Sequence, residues 1–169
     1  MSKDKIFFFI QSIVKYNSFN FGIKLRSILY RPFFKKFGKN IQIKDGVTFK
    51  YPSDIKIGDN TIIGEYCYFV GKSGLSIGKN VLIGSGTKII TSEHRYEDVR
   101  QSIYSQGLTF KPVKIGNDVW FGFDVKVLAG VVIPNGCIVA INSVVNKPFI
   151  ESDVVLAGTP AKIVKKRIG

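Results

Sequence analysis

Histidine occurs once among the 169 residues, at position 94, and cysteine only twice, at 67 and 137. These shortages exclude a good deal. Zinc sites that need several imidazoles cannot be assembled, and two cysteines so far apart give neither a metal-ligand spacing nor a CxxC redox pair. No metal site is expected. Neither a GxSxG nucleophile elbow nor a GxxxxGK[ST] phosphate loop occurs in the chain. No apolar stretch approaches the ~18 residues that a membrane span requires. Acidic residues are scarce as well, 12 against 25 Lys and Arg, which leaves a net charge of +13. That excess favours a polyanionic partner: nucleic acid, an anionic membrane surface or a phosphate-rich small ligand. Clusters of basic residues with aromatic platforms are missing, which argues against nucleic acid.

What the chain does have is a period of six. It reads Ile57-Gly58-Asp59-Asn60-Thr61-Ile62, restarts at Ile77, Ile83 and Ile89, and resumes at Ile115, Phe121, Val127, Ile133, Val139 and Val145. A weaker form leads with Phe37, Ile43 and Phe49. One large apolar residue every six, a small residue four later, and Gly, Asn or Asp between them suit short strands joined by tight turns. Three such strands close a coil, and stacked coils share one core. The period therefore predicts an all-β parallel β-helix over residues 37–161. Cys67 and Cys137 fall at the fifth place, with Thr61, Val81, Thr87, Val119, Val125, Val131 and Ser143, and are expected to pack as small core residues.

Residues 1–36 lack the repeat. Ile6, Phe9, Ile10, Ile13 and Val14 recur at helical spacing, and a second apolar set runs from Ile23 to Leu29 before Pro32. Two short helices are expected as a cap over the open end of the first coil, and, without excluding that, as a basic amphipathic membrane surface with Lys15, Lys24, Arg26, Arg31, Lys35 and Lys36. The apolar run after Lys5 breaks at Gln11 and no small-residue cleavage site follows, so a cytoplasmic protein is expected, compatible with a reducing compartment. At the other end, the basic tail 162–169 carries Lys162, Lys165, Lys166 and Arg167, which are either solvated or positioned to hold a phosphate.

The period stops over residues 95–114. Continuing it would put Arg95 and Gln101 at core positions, so this segment is read as one long excursion loop. It leaves directly after His94, and Glu93 stands where a small inward residue belongs. Local rules tend to break at functional sites. An imidazole titrating near neutrality suits a general base for an attacking hydroxyl or amine, and His94 is the candidate, with Glu93, Glu97 and Asp98 as nearby carboxylates. Trp120, the only tryptophan, sits at an outward sixth place just after the loop. It either supports the loop or walls a ligand groove.

The runs Val113 to Gly122, Val127 to Gly136 and Val155-Leu156-Ala157-Gly158-Thr159-Pro160-Ala161 closely resemble the hexapeptide-repeat acyltransferases. More narrowly, the chain resembles the branch with maltose, galactoside and polysaccharide O-acetyltransferases, over residues 37–167. The resemblance implies a left-handed β-helix, a homotrimer, and acetyl-CoA held between subunits. It implies that His94 is the catalytic base, with Glu93 as a weaker orienting candidate. Trp120, Gly122, Ala140 and Ile141 would line the donor site, and Lys162 and Lys165 would meet the CoA phosphates. Phe123 stands where a small residue is common in that branch, which bears on the shape of the donor site. The implied activity is O-acetylation of a sugar hydroxyl, as in surface polysaccharide or a lipid-linked precursor, with the basic leader at the inner membrane face. N-acetylation of an amino sugar is the alternative, and a non-enzymatic scaffold or peripheral membrane protein is the reading outside the enzymes.

Overall fold

The computed structural model describes residues 3–168; residues 1 and 2 of the N-terminal segment and residue 169 of the basic tail lie outside it. The six-residue period becomes two- and three-residue strands separated by turns, wound into a left-handed parallel β-helix. Among the described residues three sheets form its sides, with five, seven and five strands. Strands pair in parallel with the same side of the coils above and below, so like positions stack. On the second side Ile43, Ile63, Ile83, Phe121 and Val139 lie in register. On the third, Phe49, Phe69, Ile89, Val127 and Val145 do the same, and all ten are buried. The small fifth-place residues, including Cys67 and Cys137, are buried between them. Burial pushes the Cys67 thiol up to about 12 and raises Cys137 as well.

The corners require a left-handed backbone. Asn40, Asn60 and Asn80 occupy φ of 53°, 56° and 59° at one corner, a region that Asn tolerates better than most residues. Their side chains form a continuous file, with each amide donating to the next carbonyl at 3.1 and 3.0 Å.

Helices α1 (Lys3–Val14) and α2 (Phe19–Tyr30) pack over the first coil. The inward stripe of α1 is Phe7, Gln11 and Val14, so the helical period is as expected but its phase differs, and Phe9 and Ile13 face out. Polar burial explains the difference. Thr48–Lys50 is the outermost strand of the third sheet, and buried Gln11 pairs with it as another strand would, donating to the Phe49 carbonyl at 3.3 Å and accepting from its N–H at 2.8 Å.

Arg26 departs from the surface role expected of it, since its side chain is fully buried. Its guanidinium donates to the carbonyls of Val14 (3.1 Å) and Asn17 (2.7 Å) at the end of α1, and to Ile43 (2.9 Å) in the first coil. The Val14 carbonyl otherwise receives only the Asn17 N–H, at 3.3 Å, and the C-terminal end of the α1 dipole favours a cation. Desolvation lowers the Arg26 pKa from its ordinary value.

The excursion differs from the expected loop. It opens at Ser92 rather than Arg95, because Ser92–His94 pairs antiparallel with Leu108–Phe110 as a two-stranded ribbon. It closes earlier too, since Val113 and Lys114 are already in register with Leu75 and Ser76 of the first sheet. The basic tail is a strand: Ala161–Lys166 folds back antiparallel on Val154–Gly158, with an irregularity between Val155 and Leu156.

Candidate active site

Strand alternation decides what the ribbon presents. Thr91 still faces the core, where its hydroxyl donates to the Val70 carbonyl at 3.0 Å. Glu93 and His94, as consecutive strand residues, project to opposite faces of the ribbon. The Glu93 carboxylate meets Lys111 across its base, with Nζ to Oε2 at 3.6 Å, while His94 is exposed. The intrachain partner of Glu93 is thus Lys111 and not the imidazole.

Beyond His94 the excursion is organised by Asp98. Its carboxylate accepts from the Arg100 backbone N–H and guanidinium and from the Gln101 amide, and these bonds hold it below the usual carboxylate range. Gln106 closes the loop, donating to the Asp98 carbonyl at 3.0 Å and accepting from its N–H at 3.1 Å. Asp98, one of three carboxylates near His94 in sequence, is therefore a loop anchor. Tyr96 and Tyr104 stay exposed on it.

A separate apolar groove of about 440 Å³ lies on the second side of the helix, lined by Trp120, Gly122, Phe123, Ile138, Ala140 and Ile141. Its origin is local. In the strand Trp120–Phe121 the phenyl ring turns inward and the indole outward. The next turn brings out Phe123, and the corner of the coil above brings out Ile141. Trp120, Phe123 and Ile141 are 52%, 59% and 61% exposed, a concentration of large apolar surface that makes this face a candidate for binding. Gly122 is needed for the floor, because a Cβ there would come within 2.6 Å of the Ile141 backbone nitrogen.

The structure brings Trp120, Gly122, Ala140 and Ile141 together and adds Phe123 and Ile138 to them. Neither lysine lines the groove, and Lys165 ends one of its rows. One outward row runs Trp120, Ile138, Val155, Lys165 in register, three strand spacings or roughly 14 Å from indole to lysine. Lys162 stands opposite Ala157, and its side chain borders a neighbouring depression with Lys147 and Glu151. Neither lysine forms an ion pair among the described residues. His94 is not among the groove residues either. The chain thus carries an exposed imidazole at the outer end of the paired ribbon and an apolar groove on another side of the same prism. Among the described residues no three His, Cys, Asp or Glu side chains group as metal ligands.

A family model described as the hexapeptide repeat of succinyl-transferase matches residues 54–90 and 112–147, and the gap between the matches is the ribbon. A protein of Escherichia coli K12 named as a lipopolysaccharide biosynthesis O-acetyl transferase is 34% identical over 158 residues, covering 88% of this chain and 69% of that protein. The galactoside O-acetyltransferase of the same organism is 30% identical over 151 residues, covering 85% and 70%. The chain spans only 37% of one longer relative, an acetyltransferase of Mycobacterium tuberculosis. A hexapeptide-repeat acetyltransferase of Vibrio cholerae, solved with acetyl-coenzyme A, superposes with a TM-score of 0.85 at 27% identity, over 99% of this chain and 88% of that one. With this repeat, this fold and these relatives, the chain belongs to the hexapeptide-repeat acetyltransferase family.

Proposed function

We propose that this protein transfers the acetyl group of acetyl-CoA to a sugar hydroxyl, in the assembly of a surface polysaccharide or its lipid-linked precursor. The observation that carries the reading is the groove around Trp120, Phe123 and Ile141, almost free of polar side chains and open along its length. An apolar channel suits the pantetheine arm, and Lys165 at the end of the Trp120 row, with Lys162 on the same strand, suits the anionic end of CoA. Because His94 lies outside the groove of its own subunit, the site needs a second copy. In a homotrimer the ribbon of one subunit would bring His94 to the groove of its neighbour.

There His94 acts as general base. It takes the proton from the acceptor hydroxyl as that oxygen attacks the thioester carbonyl. Backbone N–H groups stabilise the tetrahedral oxyanion. Collapse breaks the carbon–sulfur bond, the imidazolium returns its proton to the departing thiolate, and an acetyl ester and free CoA result. An amino-sugar nitrogen in place of the hydroxyl would use the same donor groove and the same base. Work on a lipid-linked acceptor would place the enzyme at the cytoplasmic face of the membrane.

The test is thiol release from acetyl-CoA over a panel of free sugars, nucleotide sugars, amino sugars and surface oligosaccharides, with His94→Ala alongside. Release that depends on an acceptor and on His94, with donor binding intact in the variant, supports the transferase. Undiminished release in His94→Ala removes the base from the mechanism. A protein whose melting temperature acetyl-CoA does not raise would not be a transferase at all.

A further inference from the structure

The outward face of the helical hairpin combines two features that surface helices rarely combine. The inward stripes of α1 (Phe7, Gln11, Val14) and α2 (Gly22, Arg26, Tyr30) are used up against the coil. The opposite stripe of α1 runs Lys5, Phe9, Ile13, with Tyr16 just past its end, and that of α2 runs Phe21, Lys24, Ile28, with Arg31 just past its end, all exposed. Phe9, Phe21 and Ile28 are 64%, 71% and 69% exposed. Single exposed apolar residues are ordinary; two parallel stripes of them are not. Charge separates this face from a simple apolar patch. Asp4 is the only acidic residue before position 45, and Lys3, Lys5 and Lys24 on the helices and Arg31 at the end of the second are exposed. Beneath α2 runs an open groove of about 580 Å³, lined by Lys24, Ile28, Arg31, Phe37, Asn40 and Gln42. It offers cations at its rim and apolar surface beside them, as a phosphodiester head group with attached acyl chains requires.

We propose that this face docks on an anionic phospholipid surface. The aromatic and aliphatic side chains enter the boundary between head groups and acyl chains, and the lysines and arginine meet the lipid phosphates. The two short helices would lie along the surface, and no helix of the described residues is long and apolar enough to cross a bilayer. The β-helix would then stand with its capped end on the membrane. The inference does not depend on the acyl-transfer reading, because it uses none of the groove or ribbon residues.

The test is co-sedimentation of the full chain with vesicles of phosphatidylcholine alone and of phosphatidylcholine containing phosphatidylglycerol. Binding is expected only to the anionic vesicles, and it should weaken as salt is raised. Phe9→Ser combined with Phe21→Ser and Ile28→Ser should abolish it. Lys5→Gln and Lys24→Gln should each weaken it about fivefold, the effect of one cation near an anionic surface. Binding that ignores lipid charge, binding that survives the serine variant, or no binding at all would overturn the proposal. So would a fall in oligomer size of the serine variant on gel filtration, which would assign the face to contacts between copies. Thiol release with a soluble acceptor should be unchanged in these variants, so the docking and transfer readings fail separately.

Discussion

Lys111 Nζ lies 3.6 Å from Glu93 Oε2 across the base of the ribbon, so the carboxylate adjacent to the only histidine is already engaged on the face away from the imidazole. A partly exposed ion pair of this kind contributes about 0–1 kcal/mol. Glu93→Gln should therefore keep kcat within about threefold, while His94→Ala should lower it by roughly 10²- to 10⁴-fold. Steady-state rates for the two variants decide the matter, and a Glu93→Gln rate as low as that of His94→Ala would restore the carboxylate as an orienting partner.

Phe123 separates the apolar groove from a second depression lined by Tyr66, Ser85, Lys88 and Asp124. Its removal should lengthen the groove at that end. Phe123→Ala should raise KM for acetyl-CoA and shift the ratio of butyryl to acetyl transfer upward by on the order of tenfold, the scale of a methylene or two in an apolar pocket. Competition between the two thioesters measures that ratio, and an unchanged ratio would mean that the ring does not bound the acyl chain.

Two neighbouring buried residues should respond in opposite directions. Arg26→Leu removes the guanidinium donor from the carbonyls of Val14, Asn17 and Ile43, and about 3 kcal/mol of stability should be lost. Tyr30 is buried with a hydroxyl that has no hydrogen-bond partner among the described residues. Tyr30→Phe should stabilise by about 1 kcal/mol. Urea unfolding of both variants is the check.

Cys67 supplies a pH dependence. Its folded pKa of about 12 stands above the ~8.5 of an unfolded thiol, so the folded chain holds the proton more tightly. The contribution is complete below pH ~8.5 and is lost as pH rises from there toward 12. Stability of the parent should fall more steeply than that of Cys67→Ala over the lower part of this window, pH 8.5 to about 10. Parallel slopes would mean the thiol is not held protonated. At neutral pH, thiol reagents should label Cys67 only as fast as the chain opens.

The β-helix was legible because one requirement, a large inward residue every six positions, is repeated too often to be masked. Ile57, Ile63, Phe69 and their counterparts are buried where the period puts them. The excursion was legible as an interruption but not in its extent, since Ser92 and Glu93 keep the spacing of a coil and only their pairing with Phe110 and Thr109 turns them into a ribbon. Arg26 was misread for a different reason. A lone arginine on a loosely amphipathic helix has the pattern of a surface residue, and the carbonyls that draw it inward come from the end of another helix. Gln11 broke the apolar run and so hid its own role, which is to pair with a strand 38 residues away. In the apolar groove Trp120 was visible as an outward residue, while the contribution of Phe123 depends on the direction of the turn that carries it.

The antiparallel return of Ala161–Lys166 has a consequence for how long such an object can become. A solenoid of stacked parallel strands presents at each end a row of backbone groups that could template another chain, and growth of that kind leads to fibres. Here the last parallel strand is covered by one running the other way, with a shifted register and Lys162, Lys165 and Lys166 along it. Like charge would repel the same strand of a second molecule, and the reversed direction offers no parallel continuation. The chemistry of this terminal strand thus sets a finite length for a fold whose repeat contains no instruction to stop.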